Sequence, residues 1–592
     1  MTIYPRIIFC ESLSALDDLY KRGLPKNTRI LSRAPSLLNS NNSYIVNIEN
    51  NINNKEKHEI RDEFKKLTEK FYLNIKGLLD DEYTILLTTK FFNYLFDVYN
   101  GILIKDEYIV EHFGFVELEV DQKEIGALIN NNLELILNKS SNYIPIRVSA
   151  TVTDERSLRG ESKTNLKNRF RIVGLKGLFW LLLNYLSKYK FWYKKSEIGV
   201  LFYNELVRDL VTKLFTKYFK RIAIFNSPFS ESKKKLNTND HKDIRIVIDR
   251  TRGIIDQALL NVESKKVKNI LSILWDESVK EEINNYKSYV NQSELFLKDK
   301  TYLKYIITGY INSTKAAALY NTCKNKDISL LVCQHGVSRE LLQDPYINSI
   351  KFETSFCDNF LCFNDLSKKI TEQSTFIGDN KKITVVGLPN DYFRVAKRNK
   401  FFKKPILYVS TVLLSGGRPN ILAGESDFQM VKWEKHLVNT VFSKLKYNVD
   451  FKPYPSVRYN DPDLVLRDIR KIKNINIVGT HMDLRYIISN YKIIITSGAT
   501  STLSWCVHTN VPIIFINRKG PLSLSKFALK HLSNIAFIFD QNETSWDTDL
   551  FNFLNQPYNV IKDKWAFKKD KKKEIIDNFF GAKLNMKNLN FK

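Results

Sequence analysis

The chain has 592 residues, of which 43% are hydrophobic and 12% aromatic, and its formal net charge is +27. This length provides for about two to four domains, and the hydrophobic content excludes an intrinsically disordered protein. The positive charge is spread over the chain and carries no motif of nucleic-acid binding. It therefore favours small or surface anions as partners, such as nucleotide phosphates, acidic glycans or an anionic membrane, and no nucleic acid.

The cysteines predict a reducing environment. They are scattered, mostly within apolar strings, at Cys10, Cys323, Cys333, Cys357, Cys362 and Cys506. Their spacing fits neither a zinc site nor a disulfide framework, so we expect a cytoplasmic protein without a metal site or a cofactor.

The first half of the chain predicts few strands and many helices. Residues 1–50 have the pattern of a short β-α-β start, and helical spacing then dominates to about residue 220. Residues 221–226 (RIAIFN) predict a strand, whereas 243–249 (DIRIVID) fit either a strand or part of a helix. We therefore predict a first domain over residues 1–395, with a mainly helical insertion at about 51–220.

One apolar segment, residues 172–186, raises the question of a membrane. Lys176 interrupts it, and it is shorter than the roughly 20 residues that a membrane-spanning helix needs. Basic and aromatic residues flank it on both sides. Two interpretations stay open: a buried core helix, or peripheral contact with an anionic membrane at the inner face of the cytoplasmic membrane.

Regular alternation of strands and helices begins after Tyr302. A strand over 329–333 ends in Gln334-His335-Gly336, and further strands cover 359–363 and 382–386. A histidine at the end of a parallel strand lies where open α/β sheets bind ligands, so His335 is the candidate general base. The alternative is a core histidine that a backbone carbonyl satisfies.

A second domain is predicted over residues 396–592, ending in a basic helix. Four of its predicted strands end in loops that contain glycine, hydroxyl or basic residues, at 415–418, 452–458, 479–483 and 497–502. In a doubly wound sheet these loops share one edge and together form a pocket for a nucleotide phosphate. The predicted donor- and phosphate-binding residues are Gly416, Gly417, Arg418, Lys452, Tyr454, Arg458, His481, Ser497, Gly498, Thr500, Ser501 and Thr502.

The last of these loops, 496–502 (TSGATST), has the strongest pattern. It is a small-residue turn between a β-branched strand and a helix, which brings hydroxyls and helix N-terminal N–H groups to one place. Gly498 is free to take a positive φ there. The alternative is an ordinary βαβ unit with a Ser/Thr N-cap.

The order of these motifs resembles one class of enzymes. QHG, FLCFND, VVGLPNDYF, a Gly-Gly loop, KPYP and TSGATST, within about residues 300–540, are similar to GT-B transferases of bacterial surface-polysaccharide biosynthesis. More distantly they resemble capsule sialyl- and Kdo-transferases and teichoic-acid glycerophosphotransferases. The resemblance implies an α/β fold of GT-B type, with two Rossmann-like domains facing a cleft and a large, mainly helical insertion in the first.

The resemblance also implies roles for single residues. His335 matches the His-Gly turn at the catalytic cleft of glycerophosphotransferases. Lys452 stands where sialyltransferase-like enzymes have a His-Pro pair on the donor phosphate, and Ser497–Thr502 matches their phosphate-binding serine turn. Two positions depart from the pattern: Lys replaces the histidine, and Thr496 stands in place of the usual aspartate.

The implied function is metal-independent glycosyl transfer from a nucleotide sugar, such as a CMP-activated sialic-acid- or Kdo-like sugar. The acceptor is a glycan or lipid-linked glycan of a surface polysaccharide, capsule or lipopolysaccharide. Two alternatives stay open. One is a CDP-polyol phosphotransferase of teichoic-acid type, and the other is a non-catalytic protein of the same fold that binds membranes or polyanions.

Overall fold

In a computed structural model, the chain is described over residues 8–103, 178–230, 238–309, 313–343, 354–373, 381–393, 403–414, 425–454, 461–479, 484–568 and 572–586, and at 589. Short gaps inside these ranges fall at 11–12, between 22 and 29, and at 41, 78–80, 337–338, 413 and 521–522.

The described strands are all short. They are β1 (Ile8–Phe9), β2 (Ile30–Ser32), β3 (Ile45–Asn47), β4 (Ile198–Leu201), β5 (Ile222–Ile224), β6 (Tyr305–Thr308), β7 (Ser329–Cys333), β8 (Asn359–Cys362), β9 (Lys382–Val385), β10 (Lys404–Val409), β11 (Val449–Lys452), β12 (Ile475–Ile477), β13 (Tyr491–Thr496), β14 (Ile513–Asn517) and β15 (Phe537–Asp540).

The described α-helices are α1 (Leu13–Lys21), α2 (Pro35–Leu38), α3 (Asn54–Ile75), α4 (Asp81–Leu103), α5 (residues 178–186), α6 (Lys190–Tyr193), α7 (Glu205–Tyr218), α8 (Thr238–Ala258), α9 (Lys265–Leu297), α10 (Ser313–Lys324), α11 (Asp365–Glu372), α12 (Asp427–His436), α13 (Leu464–Ile469), α14 (Leu484–Ile487), α15 (Ser501–Val507), α16 (Lys526–Leu532), α17 (Trp546–Leu554), α18 (Tyr558–Ala566) and α19 (Lys572–Ile576). Single turns of 3₁₀ helix include Arg339–Leu341, after β7, and Asn390–Phe393, after β9. Among the described helices, none is long and apolar enough to cross a membrane.

The N-terminal strands form a small sheet of their own. β1, β2 and β3 pair in parallel, in that order, and pair with neither of the two larger sheets. The sequence predicted residues 1–50 as the start of the first domain. In the structure they contact both domains: the Asp461 carboxylate accepts from the Leu13 N–H at 2.9 and 2.8 Å and from the Ser36 hydroxyl, and Arg33 donates to the Asn100 side chain of α4 at 2.5 Å.

A helical layer follows in the chain. α3, α4, α8 and α9 pack around the buried Trp275, whose ring meets Phe71 and Phe91 edge-on at 5.5 and 5.7 Å. Residues 243–249, which fit a strand or a helix by sequence, belong to α8. Ile244, Val247 and the residues after them bury one side at helical spacing, so the strand interpretation is wrong.

The first large sheet has six described parallel strands in the order β5-β4-β6-β7-β8-β9. From β4 the chain continues to β5 on one side, and β6 to β9 then follow one another on the other side. The boundary between β4 and β6 is therefore the topological switch point, where doubly wound sheets open a crevice. The sequence predicted β5, β7, β8 and β9. It did not predict β4 and β6, the two strands on either side of the switch point.

The second large sheet also has six described parallel strands, in the order β12-β11-β10-β13-β14-β15. In chain order this is the 3-2-1-4-5-6 arrangement of a dinucleotide-binding Rossmann fold, with its switch point between β10 and β13. The buried isoleucines of β13 and β14 fit a sheet that helices cover on both faces.

The carboxyl ends of the two sheets face each other. The chain after β7 pairs with the chain after β14: the Gln343 N–H donates to the Ser523 carbonyl at 2.7 Å, and Leu342 and Leu524 form an antiparallel bridge. The turn after β9 contacts α15 through the Tyr392 and Trp505 rings, 5.8 Å apart. These contacts confirm the predicted fold class: two Rossmann-like domains facing a cleft, with a helical insertion in the first.

The end of the described chain returns to the first domain. The Leu388 N–H donates to the Ala582 carbonyl at 2.7 Å, and Asn364 donates to the Phe579 carbonyl at 2.9 Å. Gly387 makes this approach feasible, since it has φ +86° and an added Cβ would lie 2.6 Å from the Ala582 oxygen. The predicted second domain, 396–592, therefore contains a terminal segment that packs on the first.

Candidate functional site

The switch point of the second sheet brings together the chain after β10 and the chain after β13. The Thr411 hydroxyl donates to the Ser497 carbonyl at 3.0 Å, and the two hydroxyl oxygens lie 3.1 Å apart. A Cβ at Gly498 would lie 2.8 Å from the Thr411 Oγ1. Gly498 does not use its freedom to take a positive φ. The position needs glycine because Thr411 approaches so closely.

The turn then enters α15, whose N-cap is Thr500. Its hydroxyl accepts from the Thr502 N–H at 3.3 Å, and the Leu503 N–H donates to its carbonyl at 3.0 Å. Ser497 is buried, while Thr500, Ser501 and Thr502 are half-buried. The predicted alternative of a Ser/Thr N-cap is therefore present in the structure, and Ser501 and Thr502 are the hydroxyls that it leaves near the cleft.

Lys452 and Tyr454 lie at the end of β11, and β10 separates them from this turn. The Ser410 N–H donates to the Lys452 carbonyl at 2.9 Å, which ties the end of β11 to the end of β10. Lys452 is only 5% exposed and Tyr454 is half-buried. The structure thus brings Lys452, Tyr454 and the 497–502 turn to one edge of the sheet.

The other predicted donor-site residues are outside the described residues, so the structure does not place them. They are Gly416, Gly417, Arg418, Arg458 and His481.

A buried polar cluster, which the sequence analysis did not include, lies behind the same edge. Arg518 directly follows β14, is 5% exposed, pairs with Glu425 and stacks over Trp433 at 4.5 Å. Among the described residues its Nε has no hydrogen-bond partner. An arginine directly after an apolar strand was a signal that could have identified it, because every parallel strand ends at this edge.

Tyr408 connects this cluster to the turn. Its hydroxyl donates to the Glu434 carboxylate at 2.9 Å. Burial and the Glu434 charge raise the pKa of Tyr408 well above its ordinary value, and contact with Ser497 opposes the shift. Tyr408 is therefore a neutral hydrogen-bond donor, and its contacts with Glu434 and Ser497 connect the buried cluster to the turn.

On the facing edge, Gln334 organises the turn after β7. Its amide nitrogen donates to the Gly336 carbonyl at 2.8 Å and to the Glu340 carboxylate at 2.6 Å, and its amide oxygen accepts from the Phe363 N–H at 3.1 Å. Gln334 is 1% exposed, whereas the adjacent His335 is exposed. The alternative of a buried core histidine is wrong, because the imidazole lies on the surface of the edge.

Asn204 links this turn to the switch point of the first sheet. Its side chain caps α7 by accepting from the Val207 N–H at 2.9 Å, and its Nδ2 donates to the Gln334 carbonyl at 3.1 Å. The sequence analysis missed this residue because it did not predict β4, which Asn204 follows.

The described residues contain no group of three or more His, Cys, Asp or Glu that could hold a metal ion. The six cysteines are all free and buried. Burial raises the pKa of the Cys506 and Cys357 thiols to about 12, so both are protonated at neutral pH. They are structural residues of the two domains, and neither is a nucleophile of the site.

No protein-family model matches the chain, and no curated protein matches it in sequence. Solved structures of similar fold include Phytolacca americana UGT2 complexed with UDP-2fluoro-glucose and pterostilbene, at 10% identity and a TM-score of 0.35 over 64% of this chain and 94% of that one. Acinetobacter baumannii MurG aligns at 10% identity and a TM-score of 0.33 over 64% and 99%.

The UDP-GlcNAc 2-epimerase from Neisseria meningitidis bound to UDP-GlcNAc aligns at 10% identity and a TM-score of 0.35, over 64% of this chain and 97% of that one. These similarities concern the fold alone. The assignment of two facing Rossmann-like domains rests on the sheet topology and on the contacts between the sheet edges described above.

Proposed function

We propose that the protein is a glycosyltransferase that uses a nucleotide-activated sugar. The observation that carries the proposal is the meeting of two carboxyl edges with different chemistry. One presents an exposed histidine, His335, next to the hydrogen-bonded Gln334, and the other presents a hydroxyl-rich turn at 497–502. A cleft of this kind can hold an acceptor on one side and a donor phosphate on the other.

The donor lies on the second domain in this proposal. The Ser501 and Thr502 hydroxyls bind phosphate oxygens, and the positive charge of Lys452 stabilises the phosphate as it leaves. α15 has only seven residues, so hydroxyls and lysine contribute more than its dipole does. Gly416, Gly417, Arg418, Arg458 and His481 belong to the proposed donor site by sequence.

The acceptor lies on the first domain. An acceptor hydroxyl oxygen attacks the anomeric carbon of the sugar while the bond from that carbon to the phosphate oxygen breaks. His335 accepts the hydroxyl proton, and the nucleotide phosphate leaves with the electron pair. No step of this proposal uses a metal ion.

The finer proposal concerns the substrates. Because its motifs resemble those of capsule sialyl- and Kdo-transferases, we propose a CMP-activated acidic sugar as donor. The proposed acceptor is a glycan or lipid-linked glycan of a bacterial surface polysaccharide, capsule or lipopolysaccharide. A lipid-linked acceptor would place the reaction at the inner face of the cytoplasmic membrane.

A donor panel tests the proposal. The purified chain is incubated with CMP-, UDP- and GDP-sugars and with CDP-glycerol, and both thermal stabilisation and nucleotide release are measured. We expect stabilisation by one nucleotide class and release of CMP from a CMP-sugar. Release of CMP from CDP-glycerol alone would show phosphoryl-alcohol transfer instead. The absence of both stabilisation and release with every donor would contradict a transferase.

A further inference from the structure

The outer side of α5 and the chain after it is unusually apolar for a solvent-exposed surface. Leu181 is 64% exposed and Phe191 is 66% exposed. The inner side of α5, Trp180 and Leu183, is buried in the core that also contains β4. We call the exposed set the apolar ridge, and it consists of Leu178, Phe179, Leu181, Leu182, Tyr185, Tyr189 and Phe191.

The apolar ridge is continuous and partly preorganised. The Tyr185 and Tyr189 rings lie 5.2 Å apart, with their hydroxyl oxygens hydrogen-bonded at 2.6 Å, and the ring of Phe191 lies 5.9 Å from that of Tyr189. Large contiguous apolar surfaces of this kind mark interaction sites on soluble domains. Tyrosines beside aliphatic residues match the interface between lipid headgroups and acyl chains.

The charge along the apolar ridge is basic, and the next charged residue in the chain, Glu197, is paired with Lys304 at 2.9 Å. Lys188, Lys190, Lys194 and Lys195 are the only charged residues between 178 and 196, and all four are exposed. A lysine near an anionic bilayer contributes attraction, whereas a protein partner with an apolar core gives no reason for an all-basic rim. The pairing of apolar and basic groups therefore favours an anionic lipid surface.

The inner side of the segment that carries the apolar ridge packs against the first sheet, next to the cleft. At one end the Trp180 ring lies 4.8 Å from that of Tyr203, which follows β4 at the carboxyl edge of the first sheet. At the other end Trp192 donates to the carbonyl of Ile222, the first residue of β5, at 2.8 Å. Next to Tyr203 is Asn204, which holds the carbonyl of Gln334 beside His335.

We propose that the apolar ridge is a docking surface for an anionic lipid bilayer, and that it brings the acceptor side of the cleft to the membrane. The second clause rests on the proposed transferase function, because a lipid-linked acceptor would then enter beside Tyr203 and reach His335 without leaving the bilayer surface. The docking surface itself rests only on the exposed apolar side chains of the ridge and on the charge of its lysines.

Vesicle co-sedimentation of the full chain tests the docking surface. The probe is a phosphatidylcholine vesicle with about one third phosphatidylglycerol, compared with phosphatidylcholine alone. We expect binding to the anionic vesicle that weakens as salt is raised to about 1 M, where the Debye length falls to about 3 Å. Binding to neither vesicle, or equal binding to both at every salt concentration, would overturn the proposal.

Two substitutions locate the contact. Leu181→Ser together with Phe191→Ser removes two exposed side chains, so the fold is retained, and we expect at least about a tenfold loss of vesicle affinity. The matched control is Leu73→Ser with Leu260→Ser, two residues of the helical layer that are 63% and 67% exposed. An equal loss in both pairs would contradict a specific surface.

The lysines are tested in the same way. Replacing Lys188, Lys190, Lys194 and Lys195 by Gln is expected to reduce binding to anionic vesicles more than the same change at four exposed lysines of the second domain. These controls are Lys444, Lys446, Lys471 and Lys473. If the control set loses as much affinity, net charge alone explains the binding and the docking surface is wrong.

Other occupants give distinct results. A dimer that dissociates in the Leu181→Ser/Phe191→Ser variant would show that a second copy covers the apolar ridge. Because the six native cysteines are buried, cysteines introduced singly at Leu181 and Phe191 can be probed with a polar thiol reagent, and failure of both to react without vesicles would show that the chain covers the ridge itself. Both results overturn the proposal. Nucleotide release on a soluble acceptor is measured separately, so failure of docking and failure of the transferase proposal are distinguishable.

Discussion

The two large sheets present carboxyl edges of similar topology but different construction. On the first, buried side chains hold one turn from several directions: Gln334 bonds to Glu340, Gly336 and the Phe363 N–H, and of residues 334–336 His335 alone is exposed. On the second, Thr411 and Ser497 pack so closely that Gly498 has no room for a side chain. The comparison shows one edge whose turn is held by a network of buried side chains and another whose turn packs tightly against the end of the neighbouring strand.

The largest effect is expected from removing the exposed histidine of the first edge. His335→Ala should lower kcat of the proposed transfer about 10²–10⁴-fold, because a general base is lost, with little change in Tm since the side chain is exposed. The control is His436→Ala, a 46% exposed histidine that pairs with Asp547. Unchanged turnover in His335→Ala would exclude it as the base.

Substitution of the neighbouring Gln334 should lower the stability of the protein, in contrast to substitution of His335. Gln334→Leu leaves the buried Glu340 carboxylate and the Phe363 N–H without this partner, which should cost about 3 kcal/mol of stability. Thermal unfolding monitored by circular dichroism measures the loss. A Tm equal to that of the original protein would mean that the network does not support the turn, and the contrast between the two edges would fail.

The sequence predicted more of the second domain than of the first. β10, β13 and β14 contain β-branched or apolar runs flanked by turn residues, so each was predicted. β4 and β6 are runs of four residues inside helical or mixed surroundings, and such short runs do not distinguish a strand from a buried helix.

The candidate site shows the same limit. The strand-end rule identified His335 and the 497–502 turn from local pattern alone. It could not identify Asn204 or the Gln334 network, because those depend on which strands become neighbours. Nor could it show why residue 498 is glycine: freedom to take a positive φ is a local property, whereas the close approach of Thr411 arises only when β10 and β13 pair.

The next prediction concerns this approach. Gly498→Ala would place a Cβ 2.8 Å from the Thr411 Oγ1 and 3.2 Å from its Cβ, so the turn must shift. We expect a loss of about 2 kcal/mol in stability and weaker donor binding. Gly253→Ala in α8 is the matched control, because nothing lies within 4 Å of its added Cβ and helical alanine should stabilise by about 0.5–1 kcal/mol.

Thr411→Ala in the Gly498→Ala background should recover part of both losses, since it removes the Oγ1. A double variant no better than Gly498→Ala would show that backbone strain in the turn, and not contact with Thr411, accounts for the glycine.

A smaller effect is expected from pH at the junction of the two edges. Burial lowers the pKa of His508, whose Nδ1 lies 2.6 Å from the Ser504 carbonyl, and Lys572 adds to the shift. A folded-state pKa below the unfolded value of about 6.5 means that stability is complete above that pH and falls as the pH drops below it. His508→Gln should flatten the dependence of Tm on pH in this acidic window. An unchanged slope would assign the dependence to other groups.

The smallest effect is expected at Phe219, which follows α7 near the apolar ridge. It is 85% exposed and has φ +51°, a left-handed conformation that favours glycine. One turn earlier, Phe215 contacts Phe179 and Trp192 at 6.4 and 6.1 Å. Phe219→Gly should therefore raise stability by up to about 1 kcal/mol while weakening binding to anionic vesicles. A gain in stability without weaker binding would place Phe219 outside the docking surface, and the strained aromatic would then have no part in membrane contact.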